Sequence, residues 1–259
     1  MIGPGTRLFA GTTAAMPGTG VRDDNAARPG PSAGHRFEHA IVLRDVTVRY
    51  GRRLALDRVS GTFAPGSLTA VIGANGAGKS TLLGAIAGTV RLTAGKVESA
   101  SRERLAYLPQ LTTIDRDYPL TVAELICLGA WREFGAFQAV PASLLARAAS
   151  AAAIVGLDGL LTRRIAELSV GELQRALFAR LILQDAYTIL LDEPFAAVDA
   201  RTTSDLLALV TRWHHDGRTV IAVLHDLDLV RAWFPSALVL AQRCVAWGAT
   251  EAVLPAMTA

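Results

Sequence analysis

The chain has 259 residues, a formal net charge of +3 and 51% hydrophobic residues. That length suits one α/β domain with an inserted subdomain and is short for two full domains. The basic residues are scattered along the chain, which argues against a dedicated nucleic-acid-binding surface. No uninterrupted apolar stretch reaches the roughly 18 to 20 residues that a membrane-spanning helix needs. The high hydrophobic content is consistent with apolar surface that a partner subunit covers, and equally with a high content of alanine and leucine alone.

Residues 1–38 are rich in Gly, Pro, Thr and Ala and show no periodic pattern, which predicts a disordered N-terminal extension or a misassigned start of the chain. They do not contain a charged start, an apolar core and a cleavage site in that order, so they do not indicate a secretory signal. The pattern changes near residue 39, and we expect one domain over residues 39–259. Its first elements are two predicted strands, at 41–50 and 54–63, joined by a turn at Gly51.

A third apolar run, Leu68–Ile72, leads into a glycine-rich loop. Residues 73–80 read Gly-Ala-Asn-Gly-Ala-Gly-Lys-Ser, which fits the phosphate-loop pattern Gly-x-x-x-x-Gly-Lys-Ser/Thr, and a helix is predicted at 81–87. Glycines let backbone N–H groups curl around phosphates, and the helix N-terminus attracts the anion. Lys79 is expected to reach the terminal phosphates, and the Ser80 hydroxyl is placed for Mg²⁺. The predicted nucleotide-binding residues of this loop are Gly73, Ala74, Asn75, Gly76, Ala77, Gly78, Lys79, Ser80 and Thr81.

The middle of the chain is predicted to be mostly helical. Short strands at 95–98 and 105–108 precede two predicted helices, at 121–129 and 141–155, the second of which is rich in alanine. Because strands of the buried type return only later, the pattern indicates a helical subdomain, at about residues 111–184, inserted into an α/β nucleotide-binding domain.

Residues 168–175 read Leu-Ser-Val-Gly-Glu-Leu-Gln-Arg. Ser169 followed by Glu172 three residues later forms a capping-box pattern at the start of a helix. A cap explains Ser169 and Glu172 but not Gly171, whose missing side chain would let a backbone N–H group approach an anion closely.

Two continuous apolar runs, Thr188–Leu191 and Val220–Leu224, are typical of parallel strands buried on both faces. The first ends in Asp192 and Glu193, which suit a Mg²⁺ ligand and a group that polarises an attacking water. The second ends in His225. The neighbouring pair at residues 214 and 215, both histidines, is predicted to be solvated surface, because adjacent helical residues point in different directions.

The order of the phosphate loop, Gln110, residues 168–175, the acidic strand, Ala-Val-Asp199 and His225 resembles the ATP-binding cassette (ABC) ATPases over residues 40–259. The resemblance implies an α/β fold of the P-loop NTPase type. This fold has a mixed or parallel sheet core, an antiparallel β subdomain and an inserted helical subdomain. It also implies an ATP hydrolase with ATP and Mg²⁺ as cofactors.

The same resemblance implies a role for each matching residue. Tyr50 falls where the family has an aromatic residue that stacks on adenine. Gln110 matches the glutamine that joins the Mg²⁺ and water shell to the helical subdomain. Asp192 corresponds to the acid that binds Mg²⁺, Glu193 to the general base and His225 to the histidine at the γ-phosphate.

Residues 168–172 look like the family signature Leu-Ser-Gly-Gly-Gln, which in this family faces the ATP of a second subunit in a head-to-tail dimer. Asp199 matches the loop that crosses the dimer interface, and the implied signature residues are Ser169, Val170, Gly171 and Glu172. Val170 replaces a glycine and Glu172 replaces glutamine. An extra carboxylate there would repel phosphate, and so slow turnover, unless the capping geometry turns it back onto its own helix.

A sharper resemblance is to ATPase subunits of bacterial metal-ion importers of the zinc and manganese type, zinc above all. It rests on residues 115–122, 177–185, 199–203 and 245–248. It implies a peripheral subunit on the cytoplasmic face of the inner membrane, a permease dimer whose coupling helices dock near Gln110, and an extracytoplasmic metal-binding protein. Two alternatives remain open. One is a manganese, siderophore or haem transporter, and the other is a soluble ABC ATPase that acts as an assembly factor.

Overall fold

The computed structural model describes residues 40–99, 105–135 and 139–257. The extension predicted at residues 1–38 lies outside these ranges. In the described part of the chain, no helix is both long enough and apolar enough to cross a bilayer.

Nine strands form two sheets within the described residues. Their bounds are β1 (Ile41–Tyr50), β2 (Arg53–Phe63), β3 (Leu68–Ile72), β4 (Ala94–Ser99), β5 (Leu105–Leu108), β6 (Thr188–Asp192), β7 (Thr219–Val223), β8 (Ser236–Ala241) and β9 (Arg243–Ala249). The first sheet is antiparallel with the order β2-β1-β4. The second has the order β5-β6-β7-β3-β8-β9 and is parallel except for its edge strand β9.

Helices cover the sheets and fill the segment between β5 and β6. They are α1 (Lys79–Ala87), α2 (Val122–Cys127), α3 (Trp131–Phe134), α4 (Ala142–Ile154), α5 (Val170–Gln184), α6 (Ala200–His215), α7 (Leu227–Trp233) and α8 (Thr250–Val253). In the described part of the chain, four 3₁₀ turns lie at 111–113, 128–130, 165–167 and 254–257. This mixed sheet, antiparallel sheet and helical segment confirm the predicted fold class.

The central strands are buried on both faces because the sheet lies between two hydrophobic cores. Ile189 and Leu191 of β6 pack into the core that contains the helices between β5 and β6. Leu190, which points the opposite way, packs into the core beneath the antiparallel sheet, with α1. Consecutive apolar residues in one strand therefore serve two cores, as expected for a parallel sheet covered on both sides.

The structure corrects several predicted bounds. Helix α2 ends at Cys127 and a 3₁₀ turn follows, where the sequence predicts a helix through Gly129. A side chain at Gly129 would clash with the backbone oxygen of Arg180, so this turn approaches α5 closely. Strands β8 and β9 are missing from the sequence prediction. Strand β9 is half-exposed and lacks a clear alternation, whereas β8 is an apolar run with four buried residues that the prediction overlooks. His214 is also not simple surface, since its Nδ1 atom lies 2.9 Å from the Gly66 backbone oxygen.

Candidate active site

The glycine-rich loop joins the buried strand β3 to helix α1, as the motif predicts. Gly73 and Gly78 have φ angles of 151° and 96°, which favour glycine. Side chains there would also clash with the backbone oxygens of Leu240 and Ala55. The loop is therefore held in its curve by its neighbours β2 and β8, and glycine is required at both ends of the curve.

Lys79 opens helix α1 and is almost fully buried, with 6% of its surface exposed. Its ammonium group donates hydrogen bonds to the backbone oxygens of Gly73 and Ala74, at 2.9 and 3.0 Å. Burial lowers the pKa of Lys79, and attraction to Glu193 and Asp192 opposes that shift. The loop thus places a compact positive charge inside its own curve.

Asp192 ends strand β6 and has 2% of its surface exposed. Its Oδ1 accepts a hydrogen bond from the Ser80 hydroxyl at 3.1 Å, and its Oδ2 lies 3.5 Å from the Tyr107 hydroxyl. Burial raises the pKa of Asp192, and the Ser80 hydrogen bond opposes that rise. Tyr107 is absent from the sequence prediction, although it lies only three residues before Gln110. Burial, together with the Asp192 charge, raises its pKa to about 12, so the phenol stays protonated and can donate.

Glu193 and His225 meet across neighbouring strands. Parallel pairing sets Asp192 beside Val223, so the residues that follow the two strands lie at one edge of the sheet. The Glu193 Oε1 and His225 Nε2 atoms are 2.6 Å apart. Glu193 also has a left-handed backbone with a φ angle of 51°, and its N–H donates to the Val223 oxygen at 3.2 Å. A non-glycine residue in this conformation is uncommon and typical of functional sites.

These groups surround one cleft of about 460 Å³. Of the predicted residues, Tyr50, Thr81, Gln110 and Glu193 line it, together with five loop residues: Asn75, Gly76, Gly78, Lys79 and Ser80. Asp192 and His225 reach it through their hydrogen bonds to Ser80 and Glu193. Arg53 and Ala55 line it as well, although no motif predicts them. The arrangement can hold a phosphate-bearing ligand and place a carboxylate beside it.

The signature residues lie at the start of α5 and are not among the described residues that line this cleft. The predicted capping box is confirmed. The Ser169 N–H donates to the Glu172 carboxylate at 2.8 Å, and the Glu172 N–H donates to the Ser169 hydroxyl at 3.2 Å. Hydrogen bonds to the Glu172 carboxylate from the backbone and side chain of Ser169 lower the pKa of Glu172. Glu172 is therefore a carboxylate turned back onto its own helix.

Asp199 belongs to the same region of the molecule as the signature. It caps helix α6, since its Oδ1 accepts from the Thr202 N–H at 2.9 Å. The Thr202 hydroxyl donates to Asp199 Oδ2 at 2.8 Å and accepts from Arg175, on the signature helix, at 2.7 Å. An atom added to Gly171 as Cβ would lie 3.7 Å from Asp199 Oδ2. These contacts join the start of the signature helix to the loop predicted to cross a dimer interface.

Comparison with known proteins decides the family. Residues 56–196 match the family described as ABC transporter. The chain belongs to the ABC transporter family. This match confirms the predicted resemblance to ABC ATPases, and the protein is an ATP-binding ABC ATPase.

Curated ABC relatives extend the match to most of the chain. The zinc transport system ATP-binding protein TroB of Treponema pallidum is 38% identical, over 82% of this chain and 82% of its own length. The manganese transport system ATP-binding protein MntB of Listeria monocytogenes is 34% identical, over 81% of this chain and 90% of its own length.

Solved ABC structures show the same fold. A metal-chelate type ABC transporter in an inward-facing conformation superposes with a TM-score of 0.75 at 26% identity, covering 85% of this chain and 89% of the other. The dimeric ABC cassette MJ0796 superposes with a TM-score of 0.71 at 23% identity, covering 81% of this chain and 98% of the other.

The capping geometry makes Glu172→Gln a mild substitution in this ABC ATPase. Glutamine also completes a capping box, so helix α5 should keep its stability. The change removes a negative charge from the segment expected to face triphosphate, and we expect the ATPase rate to stay the same or rise. Steady-state phosphate release measures the rate, and the temperature of unfolding checks the fold. A large loss of rate in a folded variant would show that the carboxylate itself is required.

Proposed function

We propose that this chain is the subunit that binds and hydrolyses ATP to energise an ABC importer for metal ions, with zinc as the favoured cargo. The observation that supports metal cargo is the similarity to TroB and MntB, whose names assign them to zinc and manganese transport. TroB has the higher identity, which favours zinc. The preference rests on similarity, since the choice of cargo is expected to lie in the permease and the binding protein.

Mg²⁺ fits the oxygen donors around the phosphate loop. The Ser80 hydroxyl donates a hydrogen bond to the Asp192 carboxylate at 3.1 Å, and Ser80 and Gln110 both line the cleft. Hydroxyl, carboxylate and amide oxygens are the donors that this hard cation prefers, and it keeps some of its waters. When bound with ATP, Mg²⁺ would offset the charge on the phosphate oxygens. Ser80, Asp192 and Gln110 are the residues that we assign to it.

Glu193 is the proposed general base. Its carboxylate lines the cleft and would accept a proton from the water that attacks the γ-phosphate. The imidazole of His225, 2.6 Å from one carboxylate oxygen, restricts where the base can point. His225 would then contact the γ-phosphate from the same edge of the sheet, while Lys79 holds the phosphates and Tyr50 stacks on adenine.

The catalytic unit is proposed to be a head-to-tail dimer. The signature residues of one subunit would lie over the ATP that the phosphate loop of the other subunit holds. Two features support this arrangement: the signature lies apart from the cleft of its own chain, and it is joined through Arg175 and Thr202 to the Asp199 loop.

A membrane permease is the proposed second partner. Tyr118, Leu128 and Trp131, in the helical segment that follows Gln110, are large hydrophobic residues with 58%, 36% and 45% of their surface exposed. Large apolar side chains with this much exposed surface suit a protein interface. Docking there would hold the chain at the cytoplasmic face of the inner membrane, where an extracytoplasmic metal-binding protein delivers the cargo from the other side. No nucleic-acid partner is proposed.

The proposal is tested by uptake into vesicles that contain this chain and a permease that copurifies with it, with ATP inside for the importing orientation. We expect zinc to accumulate faster than manganese or iron, and the Glu193→Gln variant should abolish the ATP-dependent part. Faster manganese or iron uptake would replace zinc with that cargo. If the chain hydrolyses ATP but never copurifies with a membrane complex, the soluble assembly-factor alternative is favoured instead.

A further inference from the structure

The nucleotide cleft contains a second cation, Arg53, which comes from the hairpin of β1 and β2. Arg53 is the first residue of β2 and pairs with Tyr50 across the turn between β1 and β2. Both side chains line the cleft. A Cβ atom built on Gly76 would lie 3.0 Å from an Arg53 guanidinium nitrogen, so the guanidinium rests against the phosphate loop. The hairpin thus brings one positive charge to the loop from outside, while Lys79 occupies its inside.

The positive charge of Arg53 takes no part in the interactions that hold the described fold together. Among the residues that the structure describes, none forms an ion pair or hydrogen bond with its guanidinium. Some other surface arginines are paired, for example Arg147 with Glu133 at 2.6 Å and Arg218 with Asp185 at 2.7 Å. Lys79, in contrast, donates hydrogen bonds to two backbone carbonyls of the loop. Arg53 is therefore a cation available to a ligand, and its planar fork matches phosphate oxygens.

We infer that Arg53 is a nucleotide-binding residue, which donates to the phosphate chain of ATP from the hairpin side of the cleft. The inference rests on the proposed binding of ATP in this cleft. Position favours phosphate over adenine, because the guanidinium lies against the loop while Tyr50 is the aromatic group placed for the base. Lys79 and Arg53 then enclose the phosphates between a buried charge and an exposed one. A nucleotide with more phosphates gains more from the exposed charge.

The test compares Arg53→Gln with Arg52→Gln, its neighbour in the same turn, which is exposed and does not line the cleft. Dissociation constants are measured by titration calorimetry for ADP and a non-hydrolysable ATP analogue. Tripolyphosphate, which has no base, is measured by competition with a fluorescent nucleotide. For Arg53→Gln we expect binding of the ATP analogue and of tripolyphosphate to weaken about tenfold, and that of ADP by less. The affinity of the Arg53→Gln variant should also depend less on salt concentration. Arg52→Gln should stay within about twofold of wild type.

Equal affinities for Arg53→Gln and the wild type would overturn the inference. So would an ATP affinity that falls while tripolyphosphate competition stays unchanged, because Arg53 would then act on the base. A wrong assignment of ATP binding would give a different result, because the wild-type chain itself would then fail to bind the ATP analogue. Far-ultraviolet circular dichroism confirms that each variant is folded, which is expected for two exposed side chains.

Discussion

Glu193→Gln is expected to bind ATP with little loss and to hydrolyse it about 10² to 10⁴ times more slowly than wild type. The substitution keeps the size of the side chain and its contact with His225, but an amide cannot accept a proton from water at neutral pH. In the wild type, hydrolysis is expected to open the nucleotide-closed dimer. In this variant hydrolysis is too slow to do so, and the closed dimer should accumulate. Phosphate release measures the first effect, and size-exclusion chromatography with ATP measures the second.

Glu251→Gln is the matched control for that substitution. Glu251 lies on α8, and its side chain is 76% exposed. Removing its charge should leave both hydrolysis and assembly at the level of the wild type. If Glu193→Gln hydrolysed ATP at a rate close to wild type, the assignment of Glu193 as general base would be wrong, and another group beside His225 would have to be sought.

Lys79→Ala should weaken the binding of ATP about 100-fold or more, because two or more charge-assisted hydrogen bonds to phosphate are lost together. Truncation also leaves the Gly73 and Ala74 carbonyls without their donor, so the loop loses part of its internal support. Fluorescent-nucleotide titration measures the affinity. A Lys79→Arg variant should not restore it, since a planar guanidinium does not fit a buried position shaped for a compact ammonium group.

The sequence offers one matched control, because Lys96 is its only other lysine. Lys96 is 63% exposed and pairs with Glu98 on the antiparallel sheet. Lys96→Ala should bind ATP as the wild type does. Retention of tight ATP binding by a folded Lys79→Ala variant would count against the phosphate-loop assignment, whatever its hydrolysis rate.

The elements that sequence predicts well are those set by neighbouring residues. The phosphate loop depends on glycines at fixed spacing, and both of its ends have the positive φ angles that favour glycine. The capping box of Ser169 and Glu172 closes within four residues. Buried strands such as β6 can be predicted because their sequences are continuous apolar runs. The edge strand β9 is missed because its pattern is weak and its register comes from pairing with β8. Strand β8 is missed although it is a buried apolar run between β3 and β9.

Sequence by itself therefore determined the chemistry of this protein: a loop for phosphates, two acids at a strand end and a histidine at another. Only the tertiary structure decided which of these groups meet. Ser80 contacts Asp192 across 112 positions, and His225 contacts Glu193 across 32, because parallel pairing of β3 and β6 with β7 brings the segments that follow these strands to one edge. Tyr107 and Arg53 belong to no motif and join the site by position alone. Local spacing encodes a turn or a cap, whereas contacts between distant residues follow from how the sheet buries its two faces.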